Sequence, residues 1–170
     1  SSVEILLNGQ RMISFEPHND FRCLLMLAPE VKDGNTFRAN VNGKNKTWYN
    51  EEQACNASLS NITKKTLFLD FRGKTGNQFA GHKYTTHEQL LIADSTGKLV
   101  KMIPAPKGYT FDHTEWVQNS ANLAIATLTA ADESHPKIVL INTKDSSITE
   151  IASGNELWQP DLWTGTLQDD

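Results

Sequence analysis

Short apolar runs alternate with polar turns along the second half of the chain. The runs are about four to six residues long and occupy residues 89–93, 99–103, 123–128, 138–141 and 148–151. Asp94–Gly97 and Asn142–Ser146 lie between paired runs and carry residues that favour tight hairpin turns. This pattern predicts an all-β fold, which could be a β-sandwich, a barrel or a propeller.

The first half of the chain is less regular. Strands are predicted over Phe21–Leu27 and Thr36–Val41, and again over Leu67–Phe71. The region Asn42–Lys65 shows no sustained period and is predicted to be a long connection, in which a short helix is allowed. It carries three N-x-[ST] triplets that suggest an exposed loop, at Asn45, Asn56 and Asn61. A second loop is predicted around three glycines, Gly73, Gly76 and Gly81.

The carboxyl-terminal half contains an internal repeat. Each copy has an apolar run, a hairpin turn and a segment that leads from Gly to Trp, and the two copies cover Leu90–Trp116 and Ile138–Trp163, about 48 residues apart. Self-similarity at such a spacing indicates stacked or radially arranged units. Trp116 and Trp163 occupy matching places and are predicted to be buried between neighbouring units.

Asp112–Thr127 resembles the TolB-type β-propeller repeat, in which a Trp-centred strand and a polar turn precede an apolar strand. Ile138–Asn142 and Ile148–Ile151 look like the third and fourth strands of that repeat, and Gln159–Trp163 would begin the next unit. The resemblance covers residues 89–163. It implies four-stranded antiparallel blades.

The whole chain, residues 1–170, is predicted to form a single β domain. At about 45 residues per unit it would hold about three to four blade-like units, fewer than the usual four to eight of a closed ring. We therefore expect a homo-oligomer or a part of a longer chain, unless the repeats are hairpins of a different β fold.

Charge and apolar length exclude two classes of partner. The formal net charge is -4, and no run of Lys or Arg forms a stripe, so nucleic acid is not expected. The longest apolar stretches are far shorter than the roughly 20 residues that span a membrane, so no transmembrane segment is predicted.

The cysteines and the first residues bear on the compartment. Cys23 and Cys55 would close a loop of about 30 residues, with a disulfide and two unrelated thiols equally supported. The chain opens on Ser1 without an initiator Met or a leader, which suggests a processed mature form or a trimmed chain. We predict an extracytoplasmic location: periplasmic, cell-surface or secreted.

A ligand site is predicted around Trp158, which has no counterpart in the first copy, where Phe111 or Asp112 stands instead. Aromatic faces stack on the apolar faces of sugars, while amides and carboxylates bind the hydroxyl groups. The alternative interpretation is that Trp158, like Trp116, packs in the interior of the protein. The predicted ligand-binding residues are Asp112, His113, Glu156, Trp158 and Gln159.

No catalytic residue, metal site or cofactor is predicted. The histidines lack zinc-site spacing, and no nucleophile elbow, P-loop or dinucleotide motif occurs. The predicted function is a non-catalytic binding or scaffold domain for a protein or glycan partner. The alternatives are a glycan-acting hydrolase that uses Asp112 or Glu115 near Trp116, and a structural subunit of a surface assembly.

Overall fold

A computed structural model describes residues 2–7, 10–15, 37–39, 45–47, 49–60, 62–162 and 164, with side chains from residue 49 onward except residue 51. The strands are β1 (Ser2–Leu7), β2 (Gln10–Phe15), β3 (Phe37–Ala39), β4 (Asn45–Thr47), β5 (Ala54–Leu59), β6 (Thr66–Asp70), β7 (Gln89–Ala93), β8 (Leu99–Pro104), β9 (Tyr109–Trp116), β10 (Leu123–Ala130), β11 (Lys137–Asn142) and β12 (Ser147–Ser153). One α-helix, α1 (Lys74–Ala80), and one 3-10 turn, Tyr49–Glu51, accompany the strands in these ranges.

Two four-stranded antiparallel sheets dominate the described chain. The first has the order β5-β6-β7-β8 and the second the order β9-β10-β11-β12, so each strand pairs with the next one in sequence. β1 pairs with β2, and β3 pairs with β4. The all-β class is thus confirmed, together with every strand predicted between residues 89 and 151.

The two sheets share one apolar core. Its buried members from the first sheet are Cys55, Leu67, Leu69, Leu90, Ile92 and Ile103, and those from the second are Phe111, Trp116, Ala124, Ala126, Leu128, Val139 and Ile141. Trp116 is 6% exposed and is therefore part of the packing between the sheets, as predicted.

The two central strands of the first sheet, β6 and β7, are buried on both faces. Phe68 and Leu91 point away from the shared core and pack with Tyr49 in a second cluster. The Tyr49 and Phe68 rings meet edge to face with centroids 4.8 Å apart. Burial on both faces explains why β6 and β7 read as continuous apolar runs rather than as alternating ones.

The predicted long connection over 42–65 is wrong. It contains β4 and β5, and β5 is the first strand of the first sheet. The alternation that would reveal β5 is interrupted by a bulge between Cys55 and Ser58 and by polar side chains at its centre. Asn56, expected in an exposed loop, lies in this strand; Asn61 lies outside the described residues.

The predicted glycine-punctuated loop is also wrong, because residues Lys74–Ala80 form α1. The Glu52 carboxylate accepts hydrogen bonds from the Thr75 backbone N–H at 2.9 Å and from the Thr75 hydroxyl at 2.6 Å. This side chain supplies an N-terminal cap from a distant part of the chain. Gly81, with φ of +75°, ends the helix in the left-handed conformation that glycine tolerates best.

Several predictions fall outside the described residues. These are the strand at Phe21–Leu27, the ends of Thr36–Val41, and the side chains of Cys23 and Trp163. The centre of the second predicted strand is present as β3. The disulfide between Cys23 and Cys55 and the equivalence of the two tryptophans therefore stay predictions.

A buried carboxylate anchors the connection between β6 and β7. Asp70 has no exposed surface, and its Oδ2 accepts hydrogen bonds from the Tyr49 and Tyr84 hydroxyls, each at 2.7 Å, and from the Gly73 N–H at 3.0 Å. Burial is the main reason that the pKa of both tyrosines is raised, so the hydroxyls stay protonated donors. At Gly76 a Cβ would collide with the Tyr84 hydroxyl.

Replacing Asp70 with Ala is expected to destabilise the protein by about 3 kcal/mol or more, because two buried hydroxyls lose their acceptor at once. Urea unfolding would measure this loss. Tyr84→Phe is the control, since it removes one donor and keeps the ring, and should cost about 1 kcal/mol. Equal losses in the two variants would contradict a central role for the carboxylate.

Candidate functional site

A cleft of about 600 Å³ opens where three segments of the chain converge. The first segment is the middle of β5, the second is the end of β9, and the third is residues 159–161 after β12. β5 and β9 are the first strands of their sheets, so the cleft is bounded by corresponding parts of the two meanders.

Each of the three segments contributes a residue with left-handed backbone conformation to this cleft. The residues are Asn56, His113 and Gln159, with φ values of 50°, 44° and 48°. Such values cost roughly 1–3 kcal/mol for residues other than glycine and concentrate at functional sites. Three of them lining one cleft indicate that its shape is maintained by tertiary contacts.

β-Bulges accompany two of these residues. β5 has one extra residue between Cys55 and Ser58, and β9 has one extra residue between Asp112 and Glu115. A bulge re-aims the side chains beside it. Consequently Asn56 and Ser58 line the cleft from β5, and His113 and Glu115 occupy the corresponding positions in β9.

Side-chain hydrogen bonds join the two first strands across the cleft floor. Asn56 Nδ2 donates to Asp112 Oδ1 at 2.8 Å, and the Thr114 hydroxyl donates to the Asn56 carbonyl at 3.0 Å. The Trp116 N–H donates to the Ser58 hydroxyl at 3.0 Å. These bonds replace a regular strand ladder between the sheets and fix β9 against β5.

The third segment reaches the cleft by crossing the second sheet. The Leu157 N–H donates to the His135 carbonyl at 2.9 Å, and the Gln118 N–H donates to the Leu162 carbonyl at 2.9 Å. Residues 157–162 form no strand and lie beside the end of β9. That Gln159–Trp163 begins a further unit stays a prediction.

Trp158 is held beside the cleft by two imidazoles. Its side chain is 52% exposed. The His135 ring tilts over the indole with centroids 3.6 Å apart, and the His113 ring meets it edge to face at 5.2 Å. His113 also lines the cleft, so the exposed indole and the cleft are contiguous.

Two carboxylates orient these imidazoles. Asp112 Oδ2 lies 3.6 Å from His113 Nε2 and 3.5 Å from His135 Nε2, and Glu156 Oε2 lies 3.1 Å from His135 Nδ1. His135 itself is buried. The indole therefore rests on a network whose members are fixed by hydrogen bonds and contacts on several sides.

The structure brings the five predicted ligand-binding residues to one place. Asp112, His113, Glu156 and Trp158 belong to the network, and Gln159 lines the cleft next to it. Sequence reasoning missed His135, which lies between β10 and β11, because nothing local links it to Trp158. It also missed Asn56 and Asp161 as members of the cleft.

Glu115 is the cleft carboxylate with the clearest electrostatic perturbation. Glu115 lines the cleft and is an exposed residue. Loss of solvent is the main reason that the pKa of Glu115 is raised; the charge of Asp161 raises it further, and a hydrogen bond with Ser58 opposes the change. Glu115 thus holds a proton more readily than a carboxyl group in water does.

His82, His87 and His113 have different partners and do not form one cluster. His82 Nδ1 lies 3.1 Å from the Ala80 carbonyl, His87 Nε2 lies 3.0 Å from Cys55 Sγ, and His113 belongs to the Trp158 network. Within the described ranges, no group of three or more His, Cys, Asp or Glu residues could hold a metal ion.

Comparison of the chain with protein-family models, curated proteins and solved structures found no match. The described residues include no helix with the length and apolar character needed to cross a membrane. The assignment of function therefore depends on the geometry of the cleft and the Trp158 network.

Replacing Glu115 with Gln is expected to stabilise the protein increasingly as the pH rises. The folded-state pKa lies above the ordinary value of about 4.5, so ionisation destabilises the fold, and this penalty is absent below that value and complete above the folded-state pKa. The urea midpoint of Glu115→Gln should gain on that of the parent as the pH rises above the ordinary pKa of 4.5. Glu133→Gln, at the exposed β10–β11 turn, is the control. A gain in stability of Glu115→Gln that did not change with pH would contradict the prediction.

Proposed function

We propose that this chain is an extracytoplasmic, non-catalytic domain that binds a glycan through Trp158 and the adjoining cleft. The observation that carries the proposal is the half-exposed indole held by His113 and His135. Because the apolar ring is exposed and already fixed in place, little conformational entropy is lost when a ligand stacks on it. This is what a sugar-binding platform requires.

The chemistry of the neighbouring cleft supports a sugar ligand. Asn56, Gln118 and Gln159 line it with amide groups that can both donate to and accept from hydroxyls. Polar groups converging beside an aromatic face match the composition of sites that fix a ligand's orientation. A partner protein with a large flat surface would make less use of a concave polar site of this kind.

We further propose that the two meanders are adjacent propeller-like units and that the cleft lies on their inner side. In support of this arrangement, the first strands β5 and β9 are neighbours and carry matching bulges. The third segment, 159–161, enters the same cleft as a further first strand would. Additional units would then come from a second copy or from a longer chain.

Trp158→Ala is expected to weaken glycan binding at least about tenfold, which is about 1.4 kcal/mol, while leaving the melting temperature within a few degrees. The side chain is exposed on one side, so its loss creates no closed cavity. A glycan array would identify the ligand, and calorimetry on the leading sugar would measure the change in affinity.

Phe79→Ala is the matched control for this test, because Phe79 is an aromatic residue of α1 with 47% exposure and no place in the cleft. It should leave binding unchanged. Unfolding of Trp158→Ala would assign the indole to the core, and unchanged affinity would remove it from the site.

Glycan hydrolysis is the second candidate, and the raised pKa of Glu115 favours it. A general acid for glycoside cleavage needs a carboxyl group that stays protonated, with a second carboxylate near it, and Asp161 lines the same cleft. Asp112 is a weaker candidate because Asn56 and two imidazoles engage its oxygens.

A hydrolysis screen on the sugars retained by the array would separate the two candidates. For a binding domain we expect retention without release of shorter sugars. If shorter sugars are released, and this release is abolished in Glu115→Gln but kept in Glu133→Gln, the protein would instead be a glycan hydrolase.

A further inference from the structure

Among the described residues, the lining of the cleft carries negative charge from Glu115 and Asp161 and contains no Lys or Arg. The other titratable side chain in this lining is that of His113. In the part of the chain that the structure describes, the ion pairs formed by Lys or Arg involve neither carboxylate. Asp161 contacts Gln118, whose Nε2 lies 3.4 Å from its Oδ2.

The two carboxylates interact with each other. Asp161 makes ionisation of Glu115 less favourable, which raises the pKa of Glu115 beyond the effect of crowding alone. Like charges that line one partly enclosed site are stabilised when a cation enters. A cationic ligand would therefore bind more favourably than a neutral ligand of the same shape.

A second, independent feature is the indole N–H of Trp116. Trp116 lines the cleft, is 6% exposed, and its Nε1–H is buried with no acceptor among the described residues. A buried donor without a partner has lost its hydrogen bonds to water. The N–H is not accessible to solvent, so a ligand oxygen in the cleft could accept its hydrogen bond only after a neighbouring group moved.

We propose that the cleft selects glycans that contain unacetylated amino sugars, with the ammonium group placed between Glu115 and Asp161. This inference rests on the proposed glycan-binding function. In such a complex the sugar ring lies against Trp158, and hydroxyl oxygens face the amide groups of the cleft. N-acetylation would remove the positive charge and add bulk, so it would weaken binding.

The experiment compares two probes of equal length, the β-1,4-linked tetramer of glucosamine and the tetramer of N-acetylglucosamine. Calorimetry near pH 6 at low salt should show at least about tenfold tighter binding of the amino form. In a variant carrying both Glu115→Gln and Asp161→Asn the preference should fall to about twofold or less. Added salt should reduce it as well, since the interaction is electrostatic.

Two variants make the result interpretable. Trp158→Ala should weaken both probes by a similar factor, because stacking does not depend on the amino group. Glu133→Gln should leave both affinities unchanged. Urea unfolding of the double variant would show that it folds.

Each remaining outcome decides a different point. Equal affinity for the two probes would leave glycan binding in place and overturn the preference for amino sugars. No binding of either probe, or of any sugar on the array, would overturn the proposed function itself. Tight binding of a short lysine peptide that survives Trp158→Ala would show that the carboxylates serve a basic protein partner instead.

Discussion

The contact of β9 with β5 is the constraint on which the described structure depends. These strands belong to different sheets, and they are joined by the bonds from Asn56 to Asp112, from Thr114 to Asn56 and from Trp116 to Ser58. The apolar core continues directly beneath them. Because hydrophobic packing is non-directional, the core alone would tolerate sliding of one sheet over the other. The polar bonds are directional and fix the relative position of the sheets.

That fixed position also creates the cleft. The bulges at Asn56 and His113 turn polar side chains outward at the same level of both strands, while Cys55 and Phe111 remain in the core. The segment after β12 completes the site because its backbone is tied to Gln118 and His135. The same few contacts therefore hold the two sheets together and give the cleft its shape.

The sequence predicted the part of the fold that is determined locally. β7, β8, β10, β11 and β12 each contain a short apolar run, and turns such as Asp94–Gly97 have favourable chemistry, so pattern and structure agree. β9 is more polar and contains no such run. β5 and α1 were missed because their determinants are distant. A bulge interrupts the alternation of β5, and Glu52 caps α1 from more than 20 residues away.

The same distinction holds for the candidate site. The residues around Trp158 could be predicted because composition alone marks an aromatic residue among amides and carboxylates. His135, Asn56 and Asp161 could not, since each is brought in by the path of another segment and leaves no local pattern. Asp70 is a similar case in the fold, because its partners Tyr49 and Tyr84 come from both sides of it in sequence.

The bulges have a consequence for how this chain can evolve. Each adds one residue to a strand, and successive side chains of a strand point to opposite faces. Loss of one codon at Asn56 or at His113 would remove the extra residue and restore a regular ladder, in which Ser58 still pairs with Leu67 and Glu115 still pairs with Ile125. The residues on both sides would keep their faces, and the cleft would lose one polar side chain. A deletion elsewhere in these strands would instead turn the following residues over to the opposite face. The two bulges are therefore the points at which β5 and β9 can change length without exchanging inside for outside.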